Sequence, residues 1–128
     1  MKKLIALAAC GMLVACGTSD VSDGVQTYKT LLDAAQSDIV KTNEQVRKGV
    51  TVEFNVAEYS VMPFDSKVTL MRLEESSDVS KMRGLGLNFD ISEAAALKSK
   101  SSAKAKCRTG EASSGMGTTI TLTDCKII

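Results

Sequence analysis

Histidine and tryptophan are absent from this 128-residue sequence, which also has one proline and few aromatic residues, three Phe and two Tyr. Without histidine, the chain lacks the side chain that most often serves as a general base or a metal ligand. A chain of this length supports one domain with one core, and it is too short for a Rossmann or barrel enzyme. No cofactor motif is present, so we expect a small non-enzymatic protein without a cofactor.

The amino terminus carries an apolar run with a basic start. Lys2 and Lys3 precede about a dozen apolar residues, the order typical of a secretory signal peptide. The run is shorter than the roughly 20 residues that a membrane-spanning helix needs. It ends in Leu13-Val14-Ala15-Cys16, which resembles the lipobox of bacterial lipoproteins.

This resemblance implies how the chain is processed and where it resides. The Cys16 thiol would receive a diacylglycerol, cleavage would follow Ala15, and the new amino group would be acylated. Leu7-Ala8-Ala9-Cys10 also fits the pattern but leaves a very short apolar core. Gly17, rather than Asp, follows Cys16, which implies the outer membrane, facing the periplasm or the cell surface. We therefore expect a signal peptide over 1–15, a lipidated tether over 16–24 and one domain over 25–128.

A helix-like spacing follows the tether. Its apolar positions alternate by three and four: Val25, Tyr28, Leu32, Ala35, Ile39, Thr42 and Val46. This predicts one amphipathic helix that Asp23 and Gln26 cap and Gly49 ends. The apolar face either packs on a sheet or forms a coiled-coil seam for a homo-oligomer or a partner helix. In the second case the interface would comprise Val25, Tyr28, Leu32, Ala35, Ile39 and Val46.

Beyond Gly49 the hydrophobic period falls to two, which indicates β-strands. The alternation predicts strands over 50–61 with a bulge near Val56, then over 68–73, 85–91, 101–109 and 118–128. A short helix is predicted over 92–97 and a Ser/Gly-rich loop over 110–117. The order favours an α+β fold, in which an N-terminal amphipathic helix precedes an antiparallel meander of about five strands.

Two cysteines remain once Cys10 is removed and Cys16 is lipidated. Cys107 and Cys125 lie 18 positions apart in a chain that is addressed to an oxidising compartment. We expect them to form a disulfide. A metal or redox site is disfavoured because the sequence has no Cys-x-x-Cys and no histidine.

Basic residues cluster near the C-terminus. Residues 17–97 hold 8 basic and 13 acidic groups, whereas residues 98–128 hold 6 basic and 2 acidic groups. Five of the basic residues occupy even positions: Lys98, Lys100, Lys104, Lys106 and Arg108. They could bind an anionic envelope component or an acidic protein, or they could only protect an exposed edge strand from aggregation. Nucleic acid is not expected as a partner, because the chain is exported and lacks interleaved aromatic residues.

These observations predict a binding protein rather than a catalyst. The first hypothesis is a lipoprotein of the outer membrane that serves as a scaffold, subunit or inhibitor of an envelope machine. The alternative is a surface-exposed lipoprotein that acts on a foreign or host target, as an adhesin, a lysozyme inhibitor or an exclusion factor.

Overall fold

The structure is a computed structural model that describes residues 24–128. The predicted signal peptide, the predicted lipobox with Cys16 and the predicted cap Asp23 lie outside the described residues. Within them the chain forms a seven-stranded sheet, three α-helices and one disulfide. The α+β class and the disulfide agree with the sequence-based prediction, but the sheet is larger than the five strands expected.

The elements follow the chain in this order: β1 (Val25–Gln26), α1 (Tyr28–Ser37), α2 (Ile39–Arg47), β2 (Val50–Asn55), β3 (Ser60–Phe64), β4 (Lys67–Glu74), β5 (Arg83–Asp90), α3 (Ala94–Lys98), β6 (Ser102–Gly115) and β7 (Gly117–Ile127). Short 3-10 turns precede β3, β5 and α3 at Val56–Glu58, Val79–Lys81 and Ile91–Glu93.

The single helix predicted over 25–48 is two helices preceded by a strand. Thr27 caps α1 in a reciprocal arrangement with Thr30, so the helix starts later than predicted. The break falls at Asp38, which has an extended backbone and whose carboxylate accepts a hydrogen bond from the Lys41 amide. A short acidic side chain favours such a cap over a helix interior.

The apolar face of these helices is buried within the domain, so the structure favours the first alternative, packing on the sheet, over a coiled-coil seam. Four of its residues, Tyr28, Leu32, Ala35 and Val46, belong to the hydrophobic core. Ile39 packs against that core, and Thr42 is buried as well. Val25, the remaining member, is half-exposed in β1. The spacing of three and four therefore reflects packing on the sheet.

The sheet closes on itself because β2 and β3 are consecutive in the chain but lie toward opposite sides of the sheet. Its order is β1-β2-β6-β7-β5-β4-β3. In a flat sheet β2 and β3 would lie about 24 Å apart, but the chain from Asn55 to Ser60 reaches at most about 18 Å. The sheet must therefore curl into a barrel in which β2 and β3 are the two halves of one bent strand. When β2 and β3 are counted as one strand and the two-residue β1 is left out, the barrel has five strands. A five-stranded Greek-key barrel of this kind is an OB-fold.

Three of the six strand pairings among the described residues, β1–β2, β2–β6 and β5–β7, depart from the antiparallel meander predicted from the sequence. β5 pairs with β7 in parallel, and the two-residue β1 pairs with β2 in parallel. Short polar connections suggested that consecutive strands are neighbours. Instead α3 and its flanking turns carry the chain from β5 across the barrel to β6, which lies between β2 and β7.

The Ser/Gly-rich segment predicted as a loop is a hairpin. β6 and β7 pair without interruption up to Gly115 and Gly117, leaving Met116 at the tip. Beyond the end of β2, helix α2 covers β6: the Ala112 amide donates to Asn43 Oδ1 and the Thr109 hydroxyl donates to the Arg47 carbonyl. Small polar residues are thus tolerated in a strand that pairs with β7 and is covered by α2.

Candidate functional site

The outer face of β4 and β5 is flat because two glycines lie in its centre. A Cβ atom at Gly84 would lie 2.7 Å from Cδ2 of Leu73, and one at Gly86 would lie 3.1 Å from Cε of Met71. The side chains of Leu73 and Met71 therefore lie across the β5 backbone. We call the surface formed by Met71, Leu73, Gly84 and Gly86 the glycine shelf.

Hydroxyl groups border the glycine shelf on the next strand. Thr119 and Thr121 of β7 are paired in register with Gly84 and Gly86, and both threonines are exposed. Toward the other end of β4, the Thr69 hydroxyl and Asn88 Oδ1 are hydrogen-bonded at 2.7 Å. The apolar shelf is therefore bordered by polar groups that carry no charge.

Two tight turns place exposed apolar side chains at opposite ends of the face. Phe64 precedes the turn into β4 and is 78% exposed, and Met116 at the β6–β7 tip is 82% exposed. Asp65, at the first of these turns, has a φ of 59°, a conformation that Asp tolerates better than most residues. Isolated exposed apolar residues are common, but two that flank a flat apolar shelf suggest a binding surface.

Ion pairs define both ends of the face. At the Phe64 end, Lys67 Nζ lies 2.6 Å from a carboxylate oxygen of Asp90, and this hydrogen bond lowers the pKa of Asp90. At the other end, the Arg83 guanidinium contacts Asp33 at 2.7 Å and Glu74 at 2.9 Å. These interactions fix the ends of β4 and β5 and leave the centre uncharged.

A cluster of charged and aromatic side chains lies at the end of the barrel beneath α1. The Arg72 guanidinium lies 4.0 Å from the centre of the Tyr28 ring and also pairs with Glu58. Hydrogen bonds from Lys29 and Arg83 lower the pKa of Asp33. Each cation in this cluster has an acidic partner or an aromatic face.

The structure distributes the five predicted basic residues over two regions. Lys98 ends α3 and Lys100 lies in the following loop, whereas Lys104, Lys106 and Arg108 are exposed on the outer side of β6. Lys104 and Lys106 do not lie on an edge strand, because β6 pairs with β2 from Ser102 to Cys107 and with β7 from Ala105 onward.

The disulfide fastens the barrel behind this basic region. Cys107 and Cys125 are paired in register on β6 and β7 and are bonded to each other. Both side chains are buried in the core, so the bond is a structural link. No group of three or more His, Cys, Asp or Glu side chains within residues 24–128 could hold a metal ion.

Comparison with known proteins identifies a fold neighbour but no family. No protein-family model and no curated protein matches the chain. A crystal structure at 2.46 Å of a "putative nucleic acid-binding lipoprotein" from Klebsiella pneumoniae subsp. pneumoniae MGH 78578 superposes with a TM-score of 0.53. The match covers 84% of this chain and 92% of that chain, with 14% sequence identity. At this identity the likeness shows the fold alone.

The neighbour nevertheless corrects one expectation. The sequence-based prediction excludes nucleic acid as a partner, because it expects an exported chain and finds no interleaved aromatic residues. A chain of the same fold, itself described as a lipoprotein, carries a nucleic acid-binding description, so that exclusion was wrong. Among residues 24–128, no helix has the length and hydropathy needed to cross a bilayer.

Sequence reasoning missed the glycine shelf. The sequence pattern predicts a strand over 85–91 and singles out none of Gly84, Gly86 and Phe64 as a site residue. The signal that could have found them is the repeat of glycine on one face of a strand, which marks close approach by a neighbouring side chain or a ligand.

Proposed function

We propose that this chain is a lipid-anchored protein of the bacterial outer membrane that binds a partner without catalysing a reaction. The lipobox ending at Cys16 supports the anchor, and a disulfide between buried cysteines suits an exported chain. A lipoprotein with the same fold supports the combination of anchor and barrel. The location in the outer membrane rests on Gly17 after Cys16.

We propose that the partner binds across the glycine shelf and is an apolar segment of another envelope protein. The observation that carries this proposal is the exposure of Phe64 and Met116 on either side of the uncharged shelf. In OB-folds the face of the second and third barrel strands, with the flanking loops, is the usual ligand site. In this chain those strands are β4 and β5.

Single-stranded nucleic acid is the second candidate, and the description of the fold neighbour favours it. Phe64 could stack on a base while Lys67 lies near the backbone phosphate. Lys67 already pairs with Asp90, and the shelf itself carries no charge. The geometry therefore supports an apolar protein segment better than a polyanion.

Photo-crosslinking in living cells tests the proposed face. A photoreactive phenylalanine analogue replaces Phe64 or Met116 in the full chain, and Val40, which is 67% exposed on α2, is the matched control. We expect positions 64 and 116 to give the same protein adduct and position 40 to give none. Met71→Asp, on the shelf, should abolish the adduct, whereas Val40→Asp should leave it intact.

Other outcomes would redirect the proposal. Adducts from position 40 as strong as those from 64 and 116 would show that the face is not selective. Adducts that nuclease removes, together with anisotropy changes of a labelled single-stranded oligonucleotide that Phe64→Ala suppresses, would favour nucleic acid.

Protease treatment of intact cells tests the alternative of a foreign or host target. If the domain faces the cell exterior, protease added to intact cells should remove it. We expect protection in intact cells and digestion only after the outer membrane is permeabilised, because the proposed partner is an envelope protein.

A further inference from the structure

The point at which the tether enters the domain lies beside a cluster of basic side chains. Gly24, the first described residue, lines a cleft of about 490 Å³ together with Lys48, Lys106 and Arg108. β1, which follows directly, runs beside β2 with Val25 opposite Thr51, and Thr51 is opposite Lys106. The chain therefore leaves the domain next to positive charge.

Lys106 has a second basic neighbour. It is paired in register with Lys126 of β7, and both lysines are exposed. Like charges directly opposite on neighbouring strands are destabilising. Within residues 24–128 neither lysine forms an ion pair, and neither does Lys48. We call Lys48, Lys106, Arg108 and Lys126 the anchor-side patch.

The acidic groups near the anchor-side patch leave it positive. Asp124 pairs with Arg108, and Asp90 pairs with Lys67 while it also feels the charge of Lys126. A cleft of about 580 Å³ joins Asp90 and Asp124 to Lys106, Arg108 and Lys126. The patch has four basic side chains, whereas two acidic side chains, Asp90 and Asp124, line the cleft.

We propose that the anchor-side patch docks on the anionic phospholipid headgroups of the membrane leaflet that holds the lipid at Cys16. This inference rests on the proposed lipid anchor. Eight residues lead from Cys16 to Gly24, so Gly24 lies at most about 29 Å from the anchored cysteine. Basic groups held this close to an anionic surface are attracted to it. Docking would fix the orientation of the barrel relative to the membrane.

Lysine acetylation of the mature lipidated protein in vesicles tests the docking. The protein is reconstituted either in neutral phosphatidylcholine or in phosphatidylcholine with phosphatidylglycerol, treated with an acetylating reagent, and mapped by mass spectrometry. We expect Lys48, Lys106 and Lys126 to react about fivefold more slowly on the anionic vesicles, the factor that the attraction of one lysine implies. The exposed Lys41 and Lys81 are internal controls that should not change, and high salt should remove the protection.

Charge-matched variants separate docking from general electrostatics. In Lys106→Gln/Lys126→Gln, Lys48 should lose its protection on anionic vesicles. In Lys41→Gln/Lys81→Gln, which removes the same charge elsewhere, Lys48 should stay protected. Equal loss in both variants would overturn the proposal.

The assay distinguishes failure of docking from failure of the anchor. If the protein does not float with neutral vesicles, the lipid anchor is refuted. If it floats but the three lysines react equally on both vesicles, docking alone is refuted. Protection that is the same on both vesicles and disappears in Asp20→Asn/Asp23→Asn would assign the patch to the acidic tether and would also overturn docking.

Discussion

At the scale of single residues, Tyr59 is buried because its ring packs in the core, although this also buries its hydroxyl group. It follows the 3-10 turn that joins the two halves of the bent strand, and its ring packs edge-on against Phe54 at 5.6 Å. The phenol oxygen is buried and has no hydrogen-bond partner among the described residues. A buried hydroxyl without a partner costs free energy, because it has given up its hydrogen bonds to water.

Tyr59→Phe should therefore stabilise the domain. Removing the unsatisfied hydroxyl while keeping the ring is expected to raise the free energy of unfolding by about 1 kcal/mol. Urea titration of both proteins measures the change. Tyr28→Phe is the control, since the Tyr28 hydroxyl donates to the Arg83 carbonyl at 3.5 Å and its loss should give no such gain. A clear loss of stability in Tyr59→Phe would mean that the hydroxyl has a partner after all.

The same residue predicts how stability depends on alkaline pH. Burial raises the pKa of Tyr59 to about 12 from an ordinary value of 10.0, while the charge of Arg72 acts in the opposite direction. Between these values the unfolded chain loses the phenolic proton and the folded chain keeps it. The associated stability is present below pH 10 and is lost as the pH rises toward 12, by up to about 1.4 kcal/mol per pH unit.

Comparison with Tyr59→Phe isolates this contribution from the titration of lysines. Stability curves of both proteins are measured by urea unfolding from pH 9 upward. We expect the advantage of Tyr59→Phe to grow with pH, and parallel curves would contradict the shifted pKa.

At the scale of elements, the β6–β7 hairpin depends on one glycine far more than on the other. Gly117 has a φ of 95°, and a Cβ there would lie 2.5 Å from the Met82 carbonyl oxygen, whereas a Cβ at Gly115 would meet nothing within 4 Å. The Thr118 amide donates to that same carbonyl at 2.8 Å. The close approach therefore anchors the hairpin to the segment before β5.

Gly117→Ala should thus destabilise the domain much more than Gly115→Ala. We expect a loss of about 3 kcal/mol for Gly117→Ala, from backbone strain and a clash with main-chain atoms, and about 1 kcal/mol for Gly115→Ala, from strain alone. Thermal and urea unfolding of the two variants check the order. Similar losses would mean that the contact with Met82 relaxes easily.

The disulfide acts at the same scale, because it joins two strands that already pair in register. Cys107→Ala/Cys125→Ala should lower the free energy of unfolding by about 3 kcal/mol, as expected for a loop of this length, and should leave the circular dichroism of the sheet unchanged at low temperature. Guanidinium unfolding measures the loss, and the buried sulfurs make this variant a better probe than adding reductant. An unchanged midpoint would indicate that pairing of β6 with β7 alone holds this part of the barrel.

At the scale of the whole molecule, local patterns in the sequence located most elements but not their partners. Alternation around Phe54, Leu87 and Cys107 indicated strands, and Gly49 marked the end of the helical region. The slip at Val56 was interpreted as a bulge, whereas a 3-10 turn there bends one strand around the barrel. Pairing of β5 with β7 joins segments that α3 and β6 separate, and no local period carries that information.

The candidate site shows the same limit. The exposure of Lys104, Lys106 and Arg108 followed from alternation, but the proximity of Lys126 depends on the register of β6 with β7. The glycine shelf depends on side chains of β4 lying over β5. Both surfaces are formed by residues of neighbouring strands. Local patterns in the sequence do not show which strands are neighbours, so they could not predict these surfaces.

The proposed lipid anchor is the feature on which the proposed membrane docking depends, and it is testable in cells. Cys16→Ser should abolish incorporation of radiolabelled palmitate and leave a precursor that retains residues 1–15, since the thiolate is the acceptor of the lipid. Cys10→Ser, which alters the alternative box, should mature normally. Mass spectrometry of the purified protein measures both the processing and the acyl mass. Because three acyl chains anchor a protein far more firmly than one, wild type and Cys10→Ser should both stay in the membrane fraction after a salt wash. If instead Cys16→Ser matures normally and Cys10→Ser does not, the lipid is attached to Cys10.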